Sequence, residues 1–585
     1  MLNKYFYNLS VTTVGIVTAI FILTTVGGLF YIPVNPFFVL LPLLGGIYYL
    51  KKQSQENIDF LKQFLILLLI IMISSILAVS FWDGSWDGRG SHLATAVMYK
   101  NGWLPIYQNY EDFAVKCHVY PASAFWDNCY LHFVVIIGAN IYKITNLIES
   151  AKTTNFVMLS CLFMYSFYTL KNFLPKKKFI PFLISTIIIL NPVCIYQWFT
   201  DMVDLHIYFA FVLLILTIIL IETKKDADKT NLFMFICSSL MLAMTKFTGC
   251  MYLFVICLIY FIYLFLLKKE LKKYIKTILV IGVLIGVTGI NPFYTNLRDF
   301  GHPFYPLFGK NKIDILKGSV PFGFQNMSYM ERFLRSNFSE TADSVSETAD
   351  NLRAMKIVPV LKIPFTVKIN SVHNFFYCAE MRIGGFGYFW SGILLLSLFY
   401  LPFIRFRNKN EKYLFWLITT MILASTFSNP HCWWARYVPQ FWLFPIFVIF
   451  FGFLQENYIN KTSKILKLLL LYFVILSFII NSSIVLLQNT QFNMFLTKLL
   501  KEPYDYIDIV KKPKDKIYLM IRPDWENMVI ADSTIISHLE EYYGKENIIY
   551  VPYDEDKIKS EEFLPMQYYY IVFLPSYFFK IGEKP

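Results

Sequence analysis

Apolar runs of about fifteen to twenty-five residues, separated by short lysine-bearing or turn-rich stretches, dominate the chain from residue 10 to residue 487. Runs of this length match the hydrocarbon thickness of a bilayer when wound as helices. They predict spans at about 10–33, 36–50, 59–80, 153–172, 179–199, 203–222, 231–247, 249–267, 274–291, 386–404, 412–428, 435–454 and 463–487. The lysines fix the parity. Lys51-Lys52, Lys171 with Lys176 to Lys178, Lys224-Lys225, Lys268-Lys269 with Lys272-Lys273, and Arg405 to Lys412 all fall between apolar stretches, and basic loops stay on the cytoplasmic side. Residues 131–148 are also moderately apolar. Counting them as a span would put Lys171 and Lys176 to Lys178 outside, so 91–101, 105–113 and 121–146 are read as juxtamembrane helices lying in the outer interface.

The pattern then gives an N-terminus in the cytoplasm and a first outer loop over 81–152. A second outer loop covers 292–385, and a C-terminal segment over 488–585 also lies outside. Ser339-Glu-Thr-Ala-Asp and Ser346-Glu-Thr-Ala-Asp echo each other in the second loop and read as a solvated helical stretch. In the tail, apolar alternation at Lys516–Ile521, Asn547–Val551 and Tyr568–Leu574 predicts strands of a small α/β domain. The fold class is therefore an all-α polytopic membrane protein with about 13 transmembrane helices over 1–487, capped by that domain. No cleaved signal peptide is expected, because the apolar segment after Asn8 is too long for one.

Composition agrees with a membrane bundle. Hydrophobic residues make up 56% of the 585 and charged residues 16%, against roughly a quarter charged in soluble chains. The mean hydropathy is +0.49. A net charge of +13 raises nucleic-acid binding, but the positive-inside lysines account for it. The nine cysteines show no metal-binding spacing. Cys117, Cys129, Cys378 and Cys432 fall outside in this topology, where one disulfide or free buried thiols both fit.

The polar clusters that stand out share one face. The first outer loop opens with Phe81-Trp-Asp83-Gly-Ser-Trp-Asp87-Gly-Arg89-Gly-Ser-His92. Ser91 can cap a helix running to Gly102. Two carboxylates four apart beside a histidine can deprotonate a hydroxyl or hold a divalent ion such as Mg or Mn, or simply cap a glycine turn. The ligand set is too thin to name a metal. Asp201 and Asp204 face the same side, as ligands or as helix-end caps. Lys246 sits at the outer end of a hairpin, where positive-inside bias disfavours lysine; it fits a phosphate or snorkels to the interface. Arg298 and His302 lie in an aromatic, proline-rich turn, available to an anionic head group. Arg382 closes the second outer loop beside glycines. His431, Arg436 and Tyr437 open a later helix, and an arginine inside an aromatic belt fits a lipid phosphate.

These segments resemble bacterial members of the GT-C superfamily of membrane glycosyltransferases. The likeness rests on Ser85-Trp-Asp-Gly-Arg-Gly-Ser-His92 followed by Asn101-Gly-Trp-Leu-Pro105, on Gln197-Trp-Phe-Thr-Asp-Met-Val-Asp204, and on Thr245-Lys-Phe-Thr-Gly249. It extends to Asn291-Pro-Phe-Tyr-Thr-Asn with His302-Pro-Phe-Tyr-Pro-Leu307, Ile383-Gly-Gly-Phe-Gly387 and Trp433-Trp-Ala-Arg-Tyr437. The resemblance implies a catalytic aspartate in the first outer loop, which falls on Asp87 with Asp83 as its neighbour. It also implies a polyprenyl-phosphate-linked sugar donor and an envelope glycan, lipid or protein acceptor. The membrane would be the cytoplasmic (inner) one and the transfer inverting. Two departures are Ser91, where relatives carry an aromatic residue before the histidine, and two extra spans before the acidic loop. Arg89, His92, Asp201, Asp204, Lys246, Arg298, His302, Arg382, His431, Arg436 and Tyr437 are the expected substrate-binding residues. An O-antigen polymerase or ligase, and a lipid-linked glycan flippase, are the rival readings. The first usually lacks the acidic cluster, and the second needs charges along a central cavity.

Overall fold

The computed structural model describes residues 2–582 apart from 118, 120–124, 127, 178, 224–227, 317–318, 322, 343–358, 368–378, 455–460, 511–515, 522–532, 552–563 and 566–576. The second half of the Ser-Glu-Thr-Ala-Asp echo, Cys378 and the segment from Tyr568 to Leu574 lie outside the described residues. Among the described residues, Cys117 and Cys432 are free thiols.

The helix Asp204–Thr223 stands at the centre, and its apolar window is wholly buried. A helix hydrophobic on every side finds its place by being surrounded on every side. Lys229–Thr245 and Thr153–Phe173 pack along it, and Leu2–Leu29 packs on both of those. By contrast Asn57–Ser80 leaves Leu61, Leu65, Leu68, Leu69, Met72, Ile73 and Ile76 exposed. An apolar band of that kind is stable only against lipid tails. The protein is an integral, multi-pass membrane protein.

Each expected span meets a helix, but their lengths are uneven. Among the described residues five helices are long and apolar enough to cross a membrane: Asn3–Leu29, Asn57–Ser80, Asp204–Thr223, Phe247–Lys268 and Lys464–Lys501. A sixth arises if Leu271–Thr288 and Ile290–Phe300, bent by 69°, are one span. The bend falls at Asn291, whose backbone leaves the helical region (φ −98°, ψ 124°) ahead of Pro292, which lacks the N–H the ladder needs. Phe179–Ile189, Lys229–Thr245, Trp390–Phe403 and Pro439–Leu454 are shorter apolar helices. Phe133–Thr145 has 13 residues, about 20 Å of helix, too short to span. It packs on Leu2–Leu29, Ala94–Lys100 and the Ile148–Lys152 turn.

The helix expected to end near 487 instead runs from Lys461 to Val510, 50 residues. Beyond it lies a four-stranded sheet: β1 (Lys516–Ile521), β2 (Ile548–Val551), β3 (Leu564–Pro565) and β4 (Tyr577–Gly582), in the order β2-β1-β4-β3. β1 pairs parallel to β2 and antiparallel to β4. The crossover from β1 to β2 carries the helix Ser533–Tyr543, as parallel pairing requires.

Candidate active site

After Ser80 the chain turns extended at Phe81. The Asp83 side chain is buried, and both its oxygens accept backbone N–H groups, Oδ1 from Ser85 at 2.7 Å and Oδ2 from Asp201 at 2.7 Å. The Ser85 hydroxyl accepts the Gly88 N–H at 3.2 Å. Ser85, and not Ser91, therefore caps the next element, a wide π-type turn, Gly88–Leu93, running into the helix Ala94–Lys100. Ser91 lies inside that turn. Gly88 is needed for its bare Cα, because a side-chain carbon there would collide with Asp83 Oδ2 and Ser85 Oγ.

This turn separates the two aspartates. Asp83 is committed to the backbone, and burial lifts its carboxyl to about 6, with Lys152 opposing and Glu149 adding to the rise. Asp87 stands at the start of the wide turn with its side chain 35% exposed. The pair offers no shared ion site, since Asp83 has both oxygens engaged. Among the described residues no group of three or more His, Cys, Asp or Glu side chains is placed to hold a metal ion, so the residues present do not fit the Mg or Mn the spacing allows.

Asp87 is joined instead to Arg436. The guanidinium donates from Nη2 to Asp87 Oδ2, from Nε to Asp204 Oδ2 at 2.8 Å, and from Nη1 to Glu380 Oε1 at 2.8 Å. Lys246 Nζ donates to Asp204 Oδ1 at 2.6 Å, and Arg382 Nη2 to Glu380 Oε2 at 2.7 Å. Three cations thus face three carboxylates, and the network is neutral as a whole. Burial alone would raise the Asp87 carboxyl, but the Arg436 charge and hydrogen bond outweigh it and hold Asp87 below the ordinary carboxylate value of 3.8. It is ionised at neutral pH. His92, five residues further round the turn, faces the same cluster, and burial lowers its imidazole to about 4, so it is neutral.

Each member is brought in by a local break in a helix. Asp204 starts the central helix, where an acid suits the positive end of the helix dipole. Gln197 fixes it, donating from Nε2 to Asp204 Oδ2 at 3.1 Å while its Oε1 accepts the Leu205 N–H at 3.0 Å. Lys246 is the extended residue (φ −160°, ψ 153°) between the helices Lys229–Thr245 and Phe247–Tyr263. Gly249 allows that close fold, since a Cβ there would meet the Leu242 carbonyl. Arg436 lies in a short turn, Ala435–Tyr437. Its guanidinium carbon sits 5.3 Å from the Trp434 ring centroid and 5.8 Å from that of Tyr437. Lys246 Nζ lies 4.9 Å from the Tyr437 centroid, and Trp434 Nε1 donates to the Glu380 carbonyl at 2.5 Å. These rings screen the ion pairs from water and strengthen them.

The other expected residues are elsewhere. Asp201 is buried on the Asp83 side, its Oδ2 without a hydrogen-bond partner, and burial raises its carboxyl well above the ordinary range. Arg298 is exposed and pairs with its neighbour Asp299 at 2.6 Å, and His302 Nδ1 accepts the Phe304 N–H at 3.1 Å; neither joins the cluster. The His431 ring lies 6.0 Å from that of Tyr437, behind the network. Arg89 is buried in the wide turn. The cations expected to stand open for a phosphate are instead all ion-paired. Glu380, which completes the network, is absent from the expected set. Its signal was the Glu380-Met-Arg382 spacing ahead of the glycines at 384–387.

A cleft lined mainly by apolar side chains, including Phe21, Trp103, Ile136 and Met244, opens near the C-terminal ends of the helices Leu2–Leu29 and Ala94–Lys100, and no residue of the ion network lines it. Met244 is two residues before Lys246. The Tyr99 hydroxyl and His132 Nδ1, 2.8 Å apart, bring polarity to its wall. An apolar cleft with a few convergent polar groups is the usual form of a small-molecule or lipid site.

No family model and no curated protein sequence matches this chain. Among solved structures it is similar to the crystal structure of ArnT from Cupriavidus metallidurans bound to undecaprenyl phosphate. The two share 12% sequence identity and a TM-score of 0.41, over 84% of this chain and 87% of that one.

Proposed function

We propose that the protein is an integral-membrane glycosyltransferase of the GT-C kind. It would move a sugar from a polyprenyl-phosphate donor to an envelope glycan, lipid or protein acceptor at the outer face of the cytoplasmic membrane. One observation carries the reading: an ionised, partly exposed Asp87 shares Arg436 with two buried carboxylates, beside Lys246.

In the proposed reaction an acceptor O–H gives its proton to Asp87 as its oxygen bonds to the anomeric carbon. The bond from that carbon to the phosphate oxygen breaks, and the electron pair leaves on the lipid phosphate. The donor phosphodiester is singly charged and the departing lipid phosphate gains charge, while Asp87 loses its own by taking the proton. Negative charge therefore moves from Asp87 to the phosphate within reach of the same cations. Arg436 and Lys246 can follow it with small shifts, which stabilises the transition state more than the ground state. Attack from the face opposite the leaving phosphate inverts the anomeric centre. Neutral His92 would orient the acceptor. The lysine runs between spans support the outward orientation of this end.

The test is Asp87→Asn in a strain lacking the native copy, with cell-surface glycans and lipid-linked sugars compared. Loss of transfer, accumulation of the donor and normal membrane insertion are expected. Full transfer by the variant would overturn the assignment. Labelled lipid-sugar crossing vesicles with no covalent product would favour a flippase.

A further inference from the structure

The turn that presents Asp87 is gripped from behind by the C-terminal part of the chain. The His538 ring, on the helix Ser533–Tyr543, lies flat on the Trp82 indole at 3.8 Å and 7° between planes. Its Nε2 is 3.4 Å from Glu149 Oε1. That same carboxylate accepts the Asp83 N–H at 3.2 Å to each oxygen and pairs with Lys152, whose Nζ donates to the Phe81 carbonyl at 2.7 Å. One turn along, Glu541 Oε1 accepts the Ile148 N–H at 2.8 Å. The long helix Lys461–Val510 closes the other side: Thr497 Oγ1 accepts the Trp82 N–H at 3.0 Å, and Lys501 Nζ lies 5.3 Å from the Trp82 ring. Trp82, His538 and Glu149 are all buried.

We infer that the helix Ser533–Tyr543 and the far end of Lys461–Val510 form a clamp that positions the Asp87 turn, with His538 and Glu149 as positioning residues. The inference deepens the proposed function, since it rests on Asp87 being the working carboxylate. The path is short. His538 packs on the Trp82 ring, Thr497 accepts the Trp82 N–H and Glu149 the Asp83 N–H; the Asp83 carboxylate holds the N–H groups of Ser85 and Asp201; Ser85 holds Gly88, next to Asp87. A carboxylate that must meet both Arg436 and an acceptor hydroxyl tolerates little displacement. The C-terminal sheet domain would then serve as the anchor for a lever, without itself touching substrate. It also makes Asp87 sensitive to whatever binds or displaces that domain.

Amide hydrogen exchange on the full-length protein in lipid nanodiscs tests this, with His538→Ala, His538→Phe and the double variant His538→Ala, Glu541→Met. In His538→Ala, exchange over 82–93 should speed at least tenfold while 205–220, in the central helix, stays as in the native protein. The double variant should speed it further. His538→Phe keeps the ring on Trp82 and should recover part of the protection. In transfer assays kcat should fall at least tenfold with KM for the lipid-linked donor within threefold. Native protection over 82–93 in the double variant would overturn the clamp, as would loss of transfer without faster exchange there. If the native protein transfers no sugar but the exchange results hold, the clamp stands and the proposed function fails.

Discussion

Removing Arg436 should expose how much of this site is held by charge. In Arg436→Gln, Lys246 and Arg382 remain against Asp87, Asp204 and Glu380, so the network passes from neutral to one excess negative charge. Asp204 and Glu380 have side chains only 4% and 11% exposed, so water cannot take over the lost contacts. Breaking a buried pair from one side costs about 3–5 kcal/mol. The protein has one escape, which is to protonate a carboxylate. At pH 7 that costs roughly 1.4 kcal/mol for each unit between pH and pKa, about 4 kcal/mol for an acid near its ordinary value. The two figures agree, so the variant should be destabilised by about 3–5 kcal/mol at pH 7. At pH 5 the protonation cost shrinks to about 1–2 kcal/mol, and the deficit should shrink with it. Unfolding titrations with sodium dodecyl sulfate in mixed micelles measure both values. Adding Asp204→Asn, which removes the excess charge, should return about half the loss, and a double-mutant cycle gives the coupling. A single variant within about 1 kcal/mol of native at both pH values would refute a buried, charge-balanced network.

Other outcomes rest on the same geometry. With Asp87 as proton acceptor, the native transfer rate should hold through neutral pH and fall only as acid protonates Asp87, below its ordinary value of 3.8. In any residual activity of Arg436→Gln the main charge opposing burial is gone, so that acid limb should move upward in a pH–rate profile. Asp83→Ala leaves the N–H groups of Ser85 and Asp201 unpaired in a buried turn and should cost about 2–4 kcal/mol, lowering transfer through misplacement of Asp87; exchange over 82–93 reports it. Gly88→Ala should abolish transfer with insertion intact, because the added methyl displaces the Asp83 carboxylate. Gln197→Leu should weaken the Asp204 placement and raise KM for the donor more than it lowers kcat, read from steady-state kinetics.

Much of the architecture was legible from one property. A bilayer-length apolar segment has few ways to satisfy its backbone other than as a helix, so each expected span meets helical backbone, though among the described residues only five helices, or six with the bent pair, are long enough to cross a membrane. Phe133–Thr145, read as juxtamembrane, is a short buried helix of 13 residues. Helix ends were less legible. The Lys461–Val510 helix outruns its apolar stretch because Thr497 and Lys501 find partners on the Trp82 turn, a contact between distant parts of the chain. Capping was read six residues late, at Ser91 instead of Ser85, because the wide turn at Gly88–Leu93 has no pattern in apolar periodicity.

What the amino-acid order alone determined was the inventory: which stretches must be helices, and which ionisable residues would be left at their ends. Every member of the central network except Glu380 stood out that way, since charge beside lipid is costly enough to be conspicuous. Which residues meet was decided by the tertiary structure. The packing sets Asp87 and Arg436, 349 positions apart, on one hydrogen bond, sends Asp83 to backbone duty, and leaves Arg298 and His302 outside. Hydropathy acts residue by residue and fixes where a segment lies. Pairing acts across space and depends on how neighbouring helices turn at their ends, where no single segment carries the information.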